Sequence, residues 1–99
     1  GLVGSEMCIR DRHKNVQSVD RAANQLAQQL RKHKQLIVMG PEYPLISRIQ
    51  LWHHKEIWIK IDRKLNLDLV KKEITAAVKA VRHLPSNSSC IFNIDVDPA

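Results

Sequence analysis

The central strands of the fold are predicted from LIVMGPEYPLISRIQ at residues 36–50 and KEIWIKI at residues 55–61. Their isoleucine, valine and tryptophan residues are types that fit a pleated, half-buried surface. Ile57, Ile59 and Ile61 alternate at period two, which predicts a strand with one buried face. Gly40-Pro41 interrupts the first apolar run, because glycine accepts positive φ and proline has a fixed φ. The pattern predicts strands at residues 35–39, 45–52 and 55–62.

The turn that joins the second and third of these strands decides which side chains share a face. A two-residue loop at residues 54–55 puts Arg48 and Trp52 on the face of the isoleucines. A loop that is one residue longer puts them with Trp58 and Lys60 instead. The sequence leaves both registers open, and only the second gives a basic face with two indole rings.

Amphipathic helices precede and follow these strands. Apolar side chains recur at steps of three and four in two segments. Each segment begins with an asparagine that can act as an N-cap, and Pro85 prevents the second from continuing. The pattern predicts helices at residues 15–33 and 66–83 and a last strand at residues 90–96.

The first twelve residues, GLVGSEMCIRDR, stand apart from the rest. They resemble a translated sequencing-adapter remnant, so we expect residues 1–12 to be non-native and residues 13–99 to form a single domain. The alternative is a native edge, because Met7 and Ile9 alternate with Cys8 and Arg10 as they would in a short strand.

The order helix, strand, strand, helix, strand is a split β-α-β-β-α-β unit without its first strand. That strand normally lies inside the sheet, so its loss would leave two neighbouring strands without ladder partners. We therefore expect an α+β, ferredoxin-like sandwich whose native first strand is missing or is replaced by residues 7–12.

Composition and charge limit the function. The chain has 99 residues, 43% of them hydrophobic, which fits one globular domain. Its net charge of +6 favours polyanionic partners, nucleic acid before an acidic membrane surface. No apolar run approaches the roughly 20 residues of a membrane-spanning helix. The two cysteines lie far apart and form no CxxC, which indicates a reducing, cytoplasmic setting.

The sequence contains no set of residues that predicts catalysis. It lacks the GxxxxGK[ST] phosphate loop, so this chain is not expected to hydrolyse ATP. Asp95 and Asp97 share a strand face without a third metal ligand, and His53 and His54 point to opposite faces. We expect no catalytic residue, no metal site and no cofactor in this chain, and we expect that it is not an enzyme.

Several short elements together resemble a known family. Gly40-Pro41, Pro44 with Arg48, Lys60 and the closing IDVDP resemble, in order and spacing, the C-terminal domain of primosomal protein N′, a family of bacterial replication-restart DNA helicases. The resemblance covers about residues 12–99. It implies a non-catalytic domain that helps to bind branched DNA at stalled forks. It also implies contacts with single-strand-binding protein and other primosome proteins, and ATP, magnesium and zinc sites in upstream domains.

Charge and the resemblance together give the candidate binding residues. The resemblance assigns DNA binding to Arg48 and Lys60 by their positions. Indole rings can stack on unpaired bases, and basic side chains can neutralise phosphates. The family's Tyr-Arg-aromatic run is replaced here by the His-His-Lys of residues 53–55. The predicted nucleic-acid-binding residues are Arg48, Trp52, His53, Lys55, Trp58 and Lys60.

The expected partners are branched or single-stranded DNA, bound by a monomer in the bacterial cytoplasm, in association with the nucleoid. The alternative is a protein-interaction module. It would contact single-strand-binding protein or the helicase core without binding DNA itself. Its basic side chains would then bind the acidic tail of single-strand-binding protein.

Overall fold

A computed structural model describes residues 4–46, 48–62, 64–87 and 89–98. This part of the chain contains five strands, two α-helices and a short 3-10 turn at Pro85–Asn87. In chain order they are β1 (Gly4–His13), α1 (Val16–Leu30), β2 (Leu36–Glu42), β3 (Arg48–Ile49), β4 (Trp52–Asp62), α2 (Leu67–Arg82) and β5 (Ile91–Pro98).

The strands form one antiparallel sheet in the order β2-β4-β1-β5, and β3 pairs with the beginning of β4. Both helices pack on the same face of this sheet, where their apolar stripes join the side chains of β1 and β4 in one core. This arrangement confirms the prediction of an α+β, ferredoxin-like fold.

The core follows from the two periodicities in the sequence. Alternate residues of β4, Ile57, Ile59 and Ile61, are buried against the helices, as predicted. Leu26 of α1 and Ile74 of α2 are fully buried against them. Burying a side chain of this size stabilises the fold by roughly 1.5–3 kcal/mol.

Strand β1 occupies the central position that the fold requires. It pairs with β4 from Gly4 to His13 and with β5 from Ser5 to Arg12, so both neighbours have ladder partners. Residues 7–12 therefore fill the place of the first strand, which is the alternative that their alternating pattern indicated. That residues 1–12 are non-native stays a prediction, and residues 1–3 lie outside the described part of the chain.

Asparagine caps begin both helices, as predicted. The Asn15 side chain accepts hydrogen bonds from the backbone nitrogens of Gln17 and Ser18, at 2.9 and 3.1 Å. Asn66 does the same for the first turn of α2. Helix α1 ends at Leu30 rather than at residue 33, because the next residues make i→i−3 bonds that tighten the chain into turns.

The prediction of a long strand at residues 45–52, followed by a turn around residues 53–54, is wrong. Strand β3 covers only Arg48–Ile49, and the chain reverses at Gln50 and Leu51. Gln50 has a φ of 56°, a left-handed conformation that makes a two-residue turn possible here. As a result, His53 and His54 belong to the 11-residue strand β4.

Strand β2 extends beyond its predicted end at Met39. Gly40 and Pro41 remain in the strand, but the register with β4 shifts between Met39 and Glu42. Gly40 has a φ of 98°, and a Cβ there would lie 3.0 Å from the Glu56 carbonyl oxygen. This position therefore requires glycine, and the irregularity directs the following loop over the edge of the sheet.

Candidate nucleic-acid interface on the open sheet face

The helices cover one face of the sheet and leave the other uncovered. Because Ile57, Ile59 and Ile61 point towards the helices, the intervening residues of β4 point the other way. The strand register adds the matching residues of β1, since residues directly opposite each other share a face. We name this uncovered surface the open face; its central residues are Glu6, Cys8, Arg10, Arg12, Trp52, His54, Glu56, Trp58 and Lys60.

A partly buried ion pair lies at the middle of the open face. Arg10 and Glu56 are direct partners across β1 and β4, and Arg10 Nε donates to Glu56 Oε2 at 2.8 Å. Glu56 is only 8% exposed, whereas the side chain of Arg10 is 53% exposed. The hydrogen bond from Arg10 to Glu56 raises the pKa of Arg10, so the guanidinium stays charged.

The Cys8 thiol also contacts this carboxylate, at 3.7 Å from Oε2. Burial, followed by the charge of Glu56, raises the pKa of Cys8 to about 11. The thiol is therefore protonated at neutral pH and is not a nucleophile.

Two cations hold one of the indole rings. The guanidinium of Arg12 lies 5.1 Å from the centre of the Trp52 ring, and the Lys14 ammonium lies 5.5 Å from it. Cation–π contacts of this kind are worth about 0.5–1 kcal/mol at exposed sites. They concentrate positive charge at the end of the open face where β1 ends and β4 begins.

Trp58 instead lines a groove of about 570 Å³ that runs along the open face. The floor of the groove contains Arg10, Arg12, His54, Glu56 and Trp58. Its wall is apolar and comes from the segment between β2 and β3, with Pro44, Leu45 and Ile46, and from Ile49 of β3.

His54 adds a polar but uncharged group to the groove floor. Burial lowers the pKa of His54, and the nearby charges of Arg12 and Arg10 lower it further. The imidazole is therefore neutral at pH 7, and it can donate or accept a hydrogen bond. The positive charge of the groove comes from its arginines.

Contacts with α1 hold the apolar wall in place. The Tyr43 hydroxyl donates to the Asp20 carboxylate at 2.8 Å, and Lys55 Nζ donates to the same carboxylate at 3.0 Å. The Lys55 ammonium also lies 4.4 Å from the centre of the Tyr43 ring, and Arg31 donates to the carbonyl oxygen of Gly40. Although burial opposes it, the hydrogen bonds from Lys55 and Tyr43 lower the pKa of Asp20.

The structure separates the six predicted binding residues. Trp52, Trp58 and Lys60 lie on the open face, while His53 and Lys55 lie on the helix-covered face. Arg48 is paired with His53 and so shares its side of the sheet. The six do not form one surface.

Neither predicted turn register is correct. Both required Arg48 and Trp52 to share a face, but the turn at Gln50 and Leu51 pairs Arg48 with His53 and Ile49 with Trp52. Arg48 and Trp52 therefore lie on opposite faces. The expected basic face with two indoles exists without Arg48, and Lys55 is engaged with Asp20 on the other side.

Four residues of the groove floor were missed by the sequence reasoning: Arg10, Arg12, His54 and Glu56. The arginines belong to the segment that we expected to be non-native, which removed them from consideration. Their signal was the alternation with Met7 and Ile9, because buried odd positions in β1 place the even positions on the open face. His54 was hidden by the wrong turn, whereas Glu56 lay in the predicted strand at residues 55–62, where it alternates with Ile57.

A second basic surface lies on α2. Lys71, Lys72 and Lys79 line a shallow depression of about 330 Å³ on the outer side of this helix. Its other lining residues are Thr75 and Ala76, so it offers charge without an aromatic ring. The two surfaces differ in chemistry, which makes them separable by experiment.

The described residues contain no group of three or more histidine, cysteine, aspartate or glutamate side chains placed to hold a metal ion. Within the same residues, no helix has the length and apolar character that crossing a membrane requires. Cys8 and Cys90 are both buried and free.

Comparisons with known proteins support the fold alone. No protein-family model and no curated protein matches the sequence. Among solved structures, the chain is similar to the de novo designed protein Foldit4, with a TM-score of 0.71 over 97% of this chain and 98% of that one. The two sequences are 10% identical, so the similarity concerns the arrangement of helices and strands.

Proposed function

We propose that this chain is a non-catalytic DNA-binding domain that holds unpaired strands of branched DNA on the open face of its sheet. The observation that carries the proposal is the groove that Trp58 lines together with Arg10 and Arg12, on a sheet face that neither α1 nor α2 covers. Single-stranded nucleic acid is bound by this combination of a stacking ring and a cationic track.

Stacking and ionic contacts both contribute to the affinity, and its salt dependence separates the two. Stacking of one base on Trp58 is worth about 1–3 kcal/mol. Arg10, Arg12, Lys14 and Lys60 can neutralise phosphates, and each phosphate contact on a single strand adds about 0.7 to the salt dependence of the affinity. Three such contacts give a slope of roughly −2 in log affinity against log salt.

The resemblance to primosomal protein N′ supports a biological setting for this activity. In that setting the chain is the C-terminal domain of a bacterial replication-restart helicase and acts in the cytoplasm at stalled forks. It binds DNA as a monomer next to single-strand-binding protein and other primosome proteins. ATP, magnesium and zinc would be bound by upstream domains.

Trp58→Ala tests the proposal. Fluorescence anisotropy would measure binding of the whole chain to a fork with single-stranded arms and to a matched duplex. We expect wild type to prefer the fork, and Trp58→Ala to weaken fork binding by about 5-fold to 100-fold because a stacking contact is lost. Trp52→Ala is the matched control, since cations already cover that ring, and its effect should be smaller. Equal fork affinity of wild type and Trp58→Ala would refute stacking on this ring.

The apolar wall supports a second candidate function. Leu45, Ile46 and Ile49 are exposed and face the arginines of the groove, a combination that suits an acidic peptide with apolar residues. The resemblance implies single-strand-binding protein, through its acidic tail, as such a partner. Binding of such a peptide by a chain that does not bind fork DNA would favour a protein-interaction module. The helicase core would then be a further partner.

A further inference from the structure

A buried carboxylate is unexpected in a groove that binds phosphates. Glu56 is 8% exposed and lies on the groove floor between Arg10 and Trp58. Its charge opposes that of the arginines, and removing it from water is costly unless it is paired. Arg10 pairs with it, so the guanidinium balances the charge of the carboxylate within the groove.

The carboxylate retains capacity for a ligand. The hydrogen bonds that Arg10 and Cys8 make to it both use Oε2. A carboxylate has about four acceptor positions and no donor. Among the described residues, no group donates a hydrogen bond to Oε1. Both oxygens can therefore still accept a hydrogen bond from a ligand in the groove.

Glu56 lies next to the stacking ring. Glu56 and Trp58 are two residues apart on β4 and point to the same face, which separates their Cα atoms by about 7 Å. That separation is comparable to the width of a nucleobase. A base that stacks on Trp58 can therefore turn its edge towards the Glu56 carboxylate.

The bases differ in what they offer to an acceptor-only group. Guanine presents two adjacent donors on its Watson–Crick edge, N1–H and the N2 amino group, which match the two oxygens of a carboxylate. Adenine and cytosine present a single amino donor beside acceptors, and thymine presents one N–H between two carbonyl oxygens.

We propose that the groove reads an unpaired guanine, with the base stacked on Trp58 and its N1–H and N2 amino groups donating to Glu56. Arg10 and Arg12 hold the flanking phosphates. This inference rests on the proposed function, to which it adds a base preference.

The test is a series of fluorescein-labelled hexamers, dT6 and dT2XT3, in which X is guanine, adenine, cytosine or hypoxanthine. Anisotropy with the whole chain gives each affinity. We expect the guanine hexamer to bind about tenfold or more tightly than the adenine hexamer, in the range of a good bidentate base contact. Hypoxanthine lacks the N2 amino group and should bind between them.

Glu56→Gln should remove the preference for guanine, measured as the ratio of the guanine-hexamer affinity to the dT6 affinity within the same variant. Because the substitution also removes the charge that pairs with Arg10, the dT6 affinity itself should not fall. Asp95→Asn is the matched control. Asp95 is an exposed carboxylate on β5, opposite Cys8 on the same face but outside the groove. The control should keep the full preference. Thermal unfolding of each variant, followed by circular dichroism, shows that it is folded.

The outcomes separate this inference from the proposed function. Equal, tight binding of all the hexamers would overturn the guanine preference and leave DNA binding intact. A guanine preference that persists in Glu56→Gln would overturn the role of Glu56. No binding of any hexamer by folded wild type would overturn the proposed function itself. The wild-type series decides the base preference even if Glu56→Gln fails to fold.

Discussion

Asp11→Asn should make the stability of this protein much less dependent on pH. Asp11 is 1% exposed on the helix-covered face of β1, and neither of its carboxylate oxygens has a hydrogen-bond partner among the described residues. Lys55 is opposite it in the sheet, but the Lys55 ammonium pairs with Asp20 instead. Burial, and then the charge of Asp20, raises the pKa of Asp11 from 3.8 to about 8.

The size of the effect follows from proton linkage. Between about pH 4 and pH 8 the folded protein keeps the proton on Asp11, while the unfolded chain releases it. Stability from this group is therefore fully present below pH 4 and is lost as the pH rises, by about 1.4 kcal/mol per pH unit. The total is on the order of 5 kcal/mol, which is a large share of the 5–15 kcal/mol typical of a domain.

Urea unfolding, followed by tryptophan fluorescence at pH 5, 6, 7 and 8, measures this dependence. The difference in the free energy of unfolding between Asp11→Asn and wild type should increase in favour of the variant by about 1.4 kcal/mol per pH unit. Histidine titration affects both proteins and cancels in the difference. Asp95→Asn, at an exposed position, should give a constant difference. A constant difference for Asp11→Asn as well would refute the account of a buried, unpaired carboxyl group.

Three further substitutions test the fold and the wall of the groove. Asn15→Ala removes the cap of α1 and should lower the free energy of unfolding by about 1 kcal/mol in urea. Ile59→Ala should cost about 2–5 kcal/mol because the side chain is fully buried, whereas Ile49→Ala, at an exposed position, should change stability by less than about 0.5 kcal/mol. A similar loss for both would contradict the assigned faces. Tyr43→Phe loses its hydrogen bonds to Asp20 and should lower the free energy of unfolding, while an unchanged value would show that this contact does not hold the wall.

Periodicity was sufficient to predict most of the fold. Helices and the long strand β4 each bury one side, so apolar residues must recur at the spacing of that element. The position of β1 could also be predicted, because the split unit needs a central strand and Met7 and Ile9 alternate correctly. These patterns can be recognised in the sequence without knowledge of tertiary contacts.

The hairpin and the bulge could not be predicted in the same way. The turn depends on Gln50 in a left-handed conformation, which glutamine rarely adopts and which tertiary structure must impose. Gly40 and Pro41 usually end a strand, but here the chain continues through an irregular register to Glu42. A one-residue change in a turn moves every following side chain to the other face, so this local error affected the candidate site.

The site was predictable in part for the same reason. Trp58 and Lys60 follow from their alternation with the isoleucines of β4, and their exposed face was foreseeable. The pairing of Arg10 with Glu56 depends on the register between two strands that are more than 40 residues apart in sequence. Strand pairing across that separation in sequence depends on the packing of the whole sheet. Local sequence patterns carry no information about this packing.

The proposed function requires that DNA lies on the open face rather than on α2. Two double variants test it with matched charge: Arg12→Ala with Lys60→Ala on the sheet, and Lys72→Ala with Lys79→Ala on the helix. Each is titrated with fork DNA at several salt concentrations. We predict that the sheet variant weakens binding and reduces the salt slope by about 1.4, at about 0.7 for each lost phosphate contact, while the helix variant binds as wild type. Loss of binding in the helix variant, with wild-type affinity in the sheet variant, would contradict the account.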